Sequence, residues 1–168
     1  MRPSIVLLRT GLVASLLLSV GARAQVHAPP GSYPPPPPPA VPGAAETTEA
    51  VRAVLDAQVA SWNRGDIRGF MSGYARRDSL VFISGGTLRR GWQESLYAYM
   101  RNYPDQASMG TLSFEEVRIR PLSADHALVY GRWRLRRADH EPLGLFSLLF
   151  SRTDDGWKII HDHTSSAP

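Results

Sequence analysis

Between residues 111 and 165 the chain runs through four long stretches of strand-forming sequence separated by short turns, and this run restricts the fold more than any other feature. Residues 111–120, 127–136, 144–153 and 157–165 are rich in β-branched and aromatic side chains. The turns between the last three are of hairpin length, so those strands pair antiparallel. In 111–120 the apolar positions are Leu112 and Phe114, then Val117 and Ile119. The parity changes at Glu115-Glu116, and a strand that slips parity turns its apolar side chains to the wrong face. A β-bulge is therefore predicted there. In the closing strand, after the turn Asp154-Asp155-Gly156, strict alternation puts Trp157, Ile159, His161 and His163 on one face and Ile160, Asp162 and Thr164 on the other.

The sequence before the strands is helical. Val51, Val54, Leu55, Val59 and Trp62 recur at helical spacing over residues 46–63, with Glu46 and Glu49 where the helix dipole favours acids. Gly65 ends that helix and Asp66 caps a second, carrying Ile67, Phe70, Met71 and Tyr74. Residues 80–84 and 87–90 form a short hairpin around Gly85-Gly86. A third helix follows with Trp92, Leu96, Tyr99, Met100 and Tyr103 on one face, and Pro104 stops it. The fold class expected is α+β: a cone-shaped, curved antiparallel sheet with three helices on its concave face.

Residues 1–24 read as a signal peptide. Arg2 and Arg9 provide a positive start, Gly11 to Val20 is a short apolar run, and Ala22-Arg23-Ala24 is a cleavage pattern that leaves Gln25 first. Export to the periplasm or beyond is expected, with no membrane span in the mature chain. Residues 25–45 form a Pro-rich linker, since nine of the 14 prolines lie between Pro29 and Pro42. Such a stretch favours an extended spacer and cannot build a core. Residues 46–168 form the domain. The chain has no Cys, so its core alone holds it. The formal charge of +4 overstates its basicity, because Arg2, Arg9 and Arg23 leave with the leader; 16 of the 19 basic residues remain against 15 acids. Near neutrality argues against nucleic acid as a partner.

The segment Trp62-Asn63-Arg64-Gly65-Asp66 and the closing run from Gly156 to Ser165 resemble the nuclear transport factor 2-like superfamily, most nearly its bacterial SnoaL-like branch of unknown function. The end also resembles the association domain of calcium/calmodulin-dependent kinase, through His161-x-His163-x-Ser165 and Ala167-Pro168. The resemblance covers residues 46–168. It implies a cone with a pocket at its wide end and a homodimer formed through the sheet. It does not imply a reaction, because this superfamily hosts isomerases, cyclases, dehydratases and non-catalytic hubs. Where the steroid isomerase branch carries its acids and base, this chain has Gln58, Phe82 and Leu148, so that mechanism does not carry over. Of three arginines lining the kinase hub's pocket, Arg132 is kept, next to Tyr130, while Leu148 and Thr164 stand at the other two positions.

In both relatives the position of Thr164 faces the pocket. With alternation, Ile160 and Asp162 join it, and Arg132 lies close enough to pair with Asp162. Gln58, Trp62, Phe82, Tyr130, Arg132, Leu148, Ile160 and Thr164 are the candidate ligand-binding residues. Asp162 is the candidate catalytic residue, a carboxylate whose burial would raise its pKa toward general-base work; the alternative is a purely structural pairing with Arg132 or with a backbone N–H that holds the strand ends in place. A one-residue slip would give the pocket to His161 and His163 instead. Those two have no third ligand in view, so no metal is expected. No cofactor is expected either, since phosphate-binding loops, dinucleotide turns and nucleophile elbows are absent. Two functions stay open. One is a non-catalytic binding or assembly domain with a small, partly apolar ligand, which the missing isomerase residues favour. The other is a pocket enzyme using Asp162 as base.

Overall fold

The periodicity of Val51, Leu55 and Trp62 buries one stripe of a long helix, α1 (Ala44–Asn63), together with Thr47, Gln58 and Ser61. The computed structural model describes residues 40–167, so the proposed leader and most of the Pro-rich stretch lie outside the described residues. Gly65 takes φ 82° past the end of α1, and the Asp66 side chain accepts a hydrogen bond from the Gly69 amide to start α2 (Ile67–Met71). Next come β1 (Val81–Ser84), β2 (Thr87–Arg90) and α3 (Trp92–Asn102). The short helix α4 (Gln106–Met109), which periodicity did not reveal, is started by a capping box of Asp105 and Ser108. The long strands β3 (Thr111–Pro121), β4 (His126–Arg136), β5 (Leu143–Thr153) and β6 (Gly156–Thr164) complete the chain.

The six strands form one sheet in the order β2-β1-β6-β5-β4-β3. Every pairing is antiparallel except β1 with β6, which is parallel, a departure from the wholly antiparallel sheet expected. On the same side of β6, its early residues bond the segment between α2 and β1: the Ile159 amide donates to Gly73 O at 2.9 Å and the Ala75 amide to Ile159 O at 2.9 Å. The Asn63 side chain ties the end of α1 to the start of β3, accepting from the Leu112 amide at 2.7 Å and donating to Leu112 O at 3.1 Å.

Two bulges set which side chains face the helices. In β3, Glu115 opposes Arg132 but Arg118 opposes Tyr130, so one extra residue is inserted, and Glu116 takes φ 52°. This is the parity change predicted at Glu115-Glu116. The second bulge was not foreseen. Ile159 opposes Phe150 and His161 opposes Leu149, leaving Ile160 as the extra residue of β6. Strict alternation therefore fails. Trp157 and Ile159 share the concave, core-facing side with Asp162 and Thr164, and Trp157, Ile159 and Asp162 are all buried.

Candidate functional site

In-register strand neighbours point to the same face of a sheet, so register alone builds the site. One row crosses four strands: Arg89 on β2 opposes Phe82 on β1, which opposes Asp162 on β6, which opposes Leu148 on β5. The next inward row is Ser84, Thr164 and Phe146. Gly131 extends it onto β4, opposite Phe146. A Cβ on Gly131 would stand 3.0 Å from Phe146 Cζ and 3.0 Å from Glu115 O, so the bare backbone lets the Phe146 ring lie over β4.

These rows close with the helices around a cavity of about 200 Å³. Its wall is aromatic. Trp62 stands edge-on to Phe70 (5.0 Å between centroids) and Tyr103 (4.8 Å), and Tyr99 packs against Phe70 (5.3 Å) and Phe82 (5.7 Å). The Trp62 indole donates to Met109 O at 3.1 Å, which fixes the ring between α1 and α4. Gln58, buried deep in the wall, donates to Phe70 O at 3.1 Å. Ser84, Arg89, Asn102 and Ser166 line the more polar, less buried side.

Asp162 is 3% exposed. Its Oδ2 accepts from the Tyr74 hydroxyl at 2.8 Å and its Oδ1 from the Thr164 hydroxyl at 2.7 Å. Burial raises its pKa to about 6, against the lowering effect of those two donors and of nearby His163. An ionised carboxylate offers about four acceptor positions, so two hydroxyls leave capacity toward the cavity. The Tyr74 and Tyr99 phenols are both held well above their ordinary range, by burial first and then by the Asp162 carboxylate. Near neutral pH the site therefore holds neutral phenols beside a carboxylate able to accept a proton.

Of the residues expected at the site, Gln58, Trp62, Phe82, Leu148, Asp162 and Thr164 line the cavity. Three do not. Tyr130 and Arg132 flank the inward Gly131, so alternation sends both to the outer face; Tyr130 is 48% exposed. Arg132 meets Glu116, with Nε 3.6 Å from Oε1, and the expected Arg132–Asp162 pair is absent. Ile160 is the bulged residue and lies outside the cavity lining. The alternative pair, His161 and His163, also lies outside it, His161 half-buried and His163 exposed. Among the described residues no three His, Cys, Asp or Glu come together as a metal site, and no helix is long and apolar enough to cross a membrane.

The site also contains residues that strand alternation did not assign to it. Tyr74 and Tyr99 were legible as buried aromatics, but not as partners of Asp162. Arg89 was missed although its signal was present. Gly85 and Gly86 take φ 55° and 74°, the pair of positive values that a two-residue hairpin turn requires. Such a turn places Arg89 opposite Phe82.

Comparison with known proteins gives the same fold. The profile of the SnoaL-like domain matches residues 51–168. A nuclear transport factor 2-like protein of unknown function from Shewanella oneidensis is 43% identical, with 71% of this chain and 98% of that chain covered, at a TM-score of 0.68. A ketosteroid isomerase-like protein from Erwinia carotovora is 20% identical, covering 73% of this chain and 98% of that one, at a TM-score of 0.59. A candidate calcium/calmodulin-dependent protein kinase II association domain from Xanthomonas campestris is 18% identical, covering 77% and 94%, at 0.56. No curated protein matches the chain.

Proposed function

Since the chain belongs to the SnoaL-like family of the nuclear transport factor 2-like superfamily, a family whose fold does not name a reaction, we propose that it is a binding domain for a small, partly apolar molecule held in its cone. The observation that carries this reading is the aromatic cavity with one buried carboxylate in its wall. Sites of this kind combine an apolar wall with a few polar groups that orient the occupant. At about 200 Å³ the cavity is smaller than the roughly 300–1,000 Å³ of drug-sized sites, which restricts the occupant to a small molecule.

A second reading, proton transfer by Asp162, is favoured by one observation. Its pKa of about 6 suits a general base near neutral pH. Tyr74 and Thr164 would then orient the carboxylate while its remaining lone pairs meet the substrate.

The proposal extends to assembly and location. The outer sheet face presents Tyr130 and Leu145, 48% and 54% exposed, beside Leu128 and Leu149, and this apolar surface supports a homodimer packed sheet to sheet. The N-terminal pattern ending at Ala24 supports an exported domain on a Pro-rich spacer.

The test of the binding reading is a thermal-shift screen of the full chain against fractionated metabolites. A ligand that binds only the folded state raises the melting temperature. Leu148→Trp, which fills the cavity from β5, should abolish the shift. A shift that survives Leu148→Trp would place the ligand elsewhere and overturn the reading.

A further inference from the structure

Strand pairing with Phe82 sets the place of Arg89 in β2, but no ion pair among the described residues holds its side chain. It is the one residue of β2 that is not exposed, while Thr87, Leu88 and Arg90 around it are all solvent-facing. It lines the cavity, where it is the one cationic side chain among the described lining residues, with Asp162 the one acid. No carboxylate of the described residues forms an ion pair with it. Its charge nevertheless reaches inside. Burial and Asp162 push the Tyr99 phenol up, and Arg89 is the cation that works against them.

The geometry is that of a two-ended site. Arg89, Phe82 and Asp162 are consecutive neighbours across β2, β1 and β6. Two strand spacings separate the backbones of the ends by roughly 9–10 Å. The Phe82 ring lies between them and is packed by Tyr74 (6.1 Å) and Tyr99 (5.7 Å). The two ends differ in chemistry. The Arg89 guanidinium offers a planar fork of donors and no acceptor, which matches a carboxylate. Asp162, when ionised, offers only acceptors, which match a hydroxyl or another donor.

Resting on the binding reading above, we infer that Arg89 is the ligand anchor and that the ligand is a small monocarboxylic acid with a single ring. Its carboxylate sits at Arg89, its ring lies over Phe82, and a hydrogen-bond donor on its far end meets Asp162. The charge count limits the class. One free cation balances one negative charge, whereas a dianionic phosphate would leave a second charge uncompensated in an aromatic enclosure that already holds Asp162.

The probes are 4-hydroxyphenylacetate and its neutral counterpart 2-(4-hydroxyphenyl)ethanol, titrated into the full chain by calorimetry. Wild-type protein should bind the acid more tightly than the alcohol, by roughly ten-fold or more for a charge-assisted pair. Arg89→Gln should remove that preference, by weakening binding of the acid more than that of the alcohol. Arg132→Gln, on the outer face, should keep the preference. If both probes bind alike in wild type, or Arg89→Gln retains the preference for the acid, the anchor assignment is overturned while the binding reading stands. If neither probe binds, the assignment is overturned as stated, and the metabolite screen with Leu148→Trp decides separately whether the cavity binds anything.

Discussion

The Tyr74 hydroxyl donates a 2.8 Å hydrogen bond to Oδ2 of Asp162, 88 positions later in the chain. Tyr74 also forms a parallel bridge with Ile159 in the same strand. The loop after α2 and the last strand thus meet through backbone as well as through side chains, and the Tyr74–Asp162 contact lies in the cavity.

Tyr74→Phe removes one of the two hydroxyls that favour the charged form of Asp162. The pKa of Asp162 should rise further above about 6. The variant should lose about 1.5–3 kcal/mol at pH 8, as for a hydrogen bond to a charged group. At pH 5, where the wild-type carboxyl is mostly protonated, the loss should be smaller. Urea denaturation at the two pH values checks this; an equal loss at both would remove Asp162 from the explanation.

Asp162 makes stability depend on pH. Its folded pKa, about 6, lies above the ordinary 3.8, so the folded state holds more protons than the unfolded state between those values. Its contribution is most favourable below about pH 4 and declines as pH rises to about 6, and the full change is about 3 kcal/mol. Asp162→Asn should abolish this component. The stability of wild type relative to Asp162→Asn should therefore increase as pH falls from 6 to 4. A constant difference across that window would contradict the raised pKa. If the domain is catalytic, the same variant should be inactive.

Gly131→Ala places a Cβ 3.0 Å from both Phe146 Cζ and Glu115 O. The backbone of β3 cannot move aside easily, so the Phe146 ring must shift toward the cavity. A loss of about 1–3 kcal/mol is expected, with weaker binding of any cavity ligand. Unchanged melting and binding would show that Phe146 has room.

The proposed homodimer should be visible by sedimentation of the mature chain at micromolar concentration. Leu145→Glu, on the sheet face opposite the cavity, should yield a folded monomer. A wild-type monomer under those conditions would overturn the sheet-to-sheet arrangement.

N-terminal sequencing of protein recovered from a periplasmic or culture fraction should begin at Gln25. An intact Met1 on cytoplasmic protein would overturn the export proposal.

What the sequence determined by itself is whatever depends on short-range pattern. The helical stripe of Val51, Leu55 and Trp62, the Asp66 cap, the Gly85-Gly86 turn and the parity change at Glu115-Glu116 are each written within a few residues. Periodicity and turn chemistry act over that distance, and so the α+β class and most strand limits were legible. The closing strand shows where local reading stops. Nothing near Ile160 marks it as a bulge, because a bulge is a mismatch between two strands, and here it arises from pairing with Phe150 and Leu149 on β5. That mismatch alone puts Asp162 on the face of Trp157 and Ile159. Arg132 was sent outward by its neighbour, since Gly131 takes the inward position beneath Phe146. Arg89 became the cavity's cation because β1 lies against β6, a parallel pairing between segments far apart in sequence. Side-chain type was written in the chain; which side chains share a cavity was decided by register between distant strands, where burial of apolar surface, and not local preference, selects the alignment.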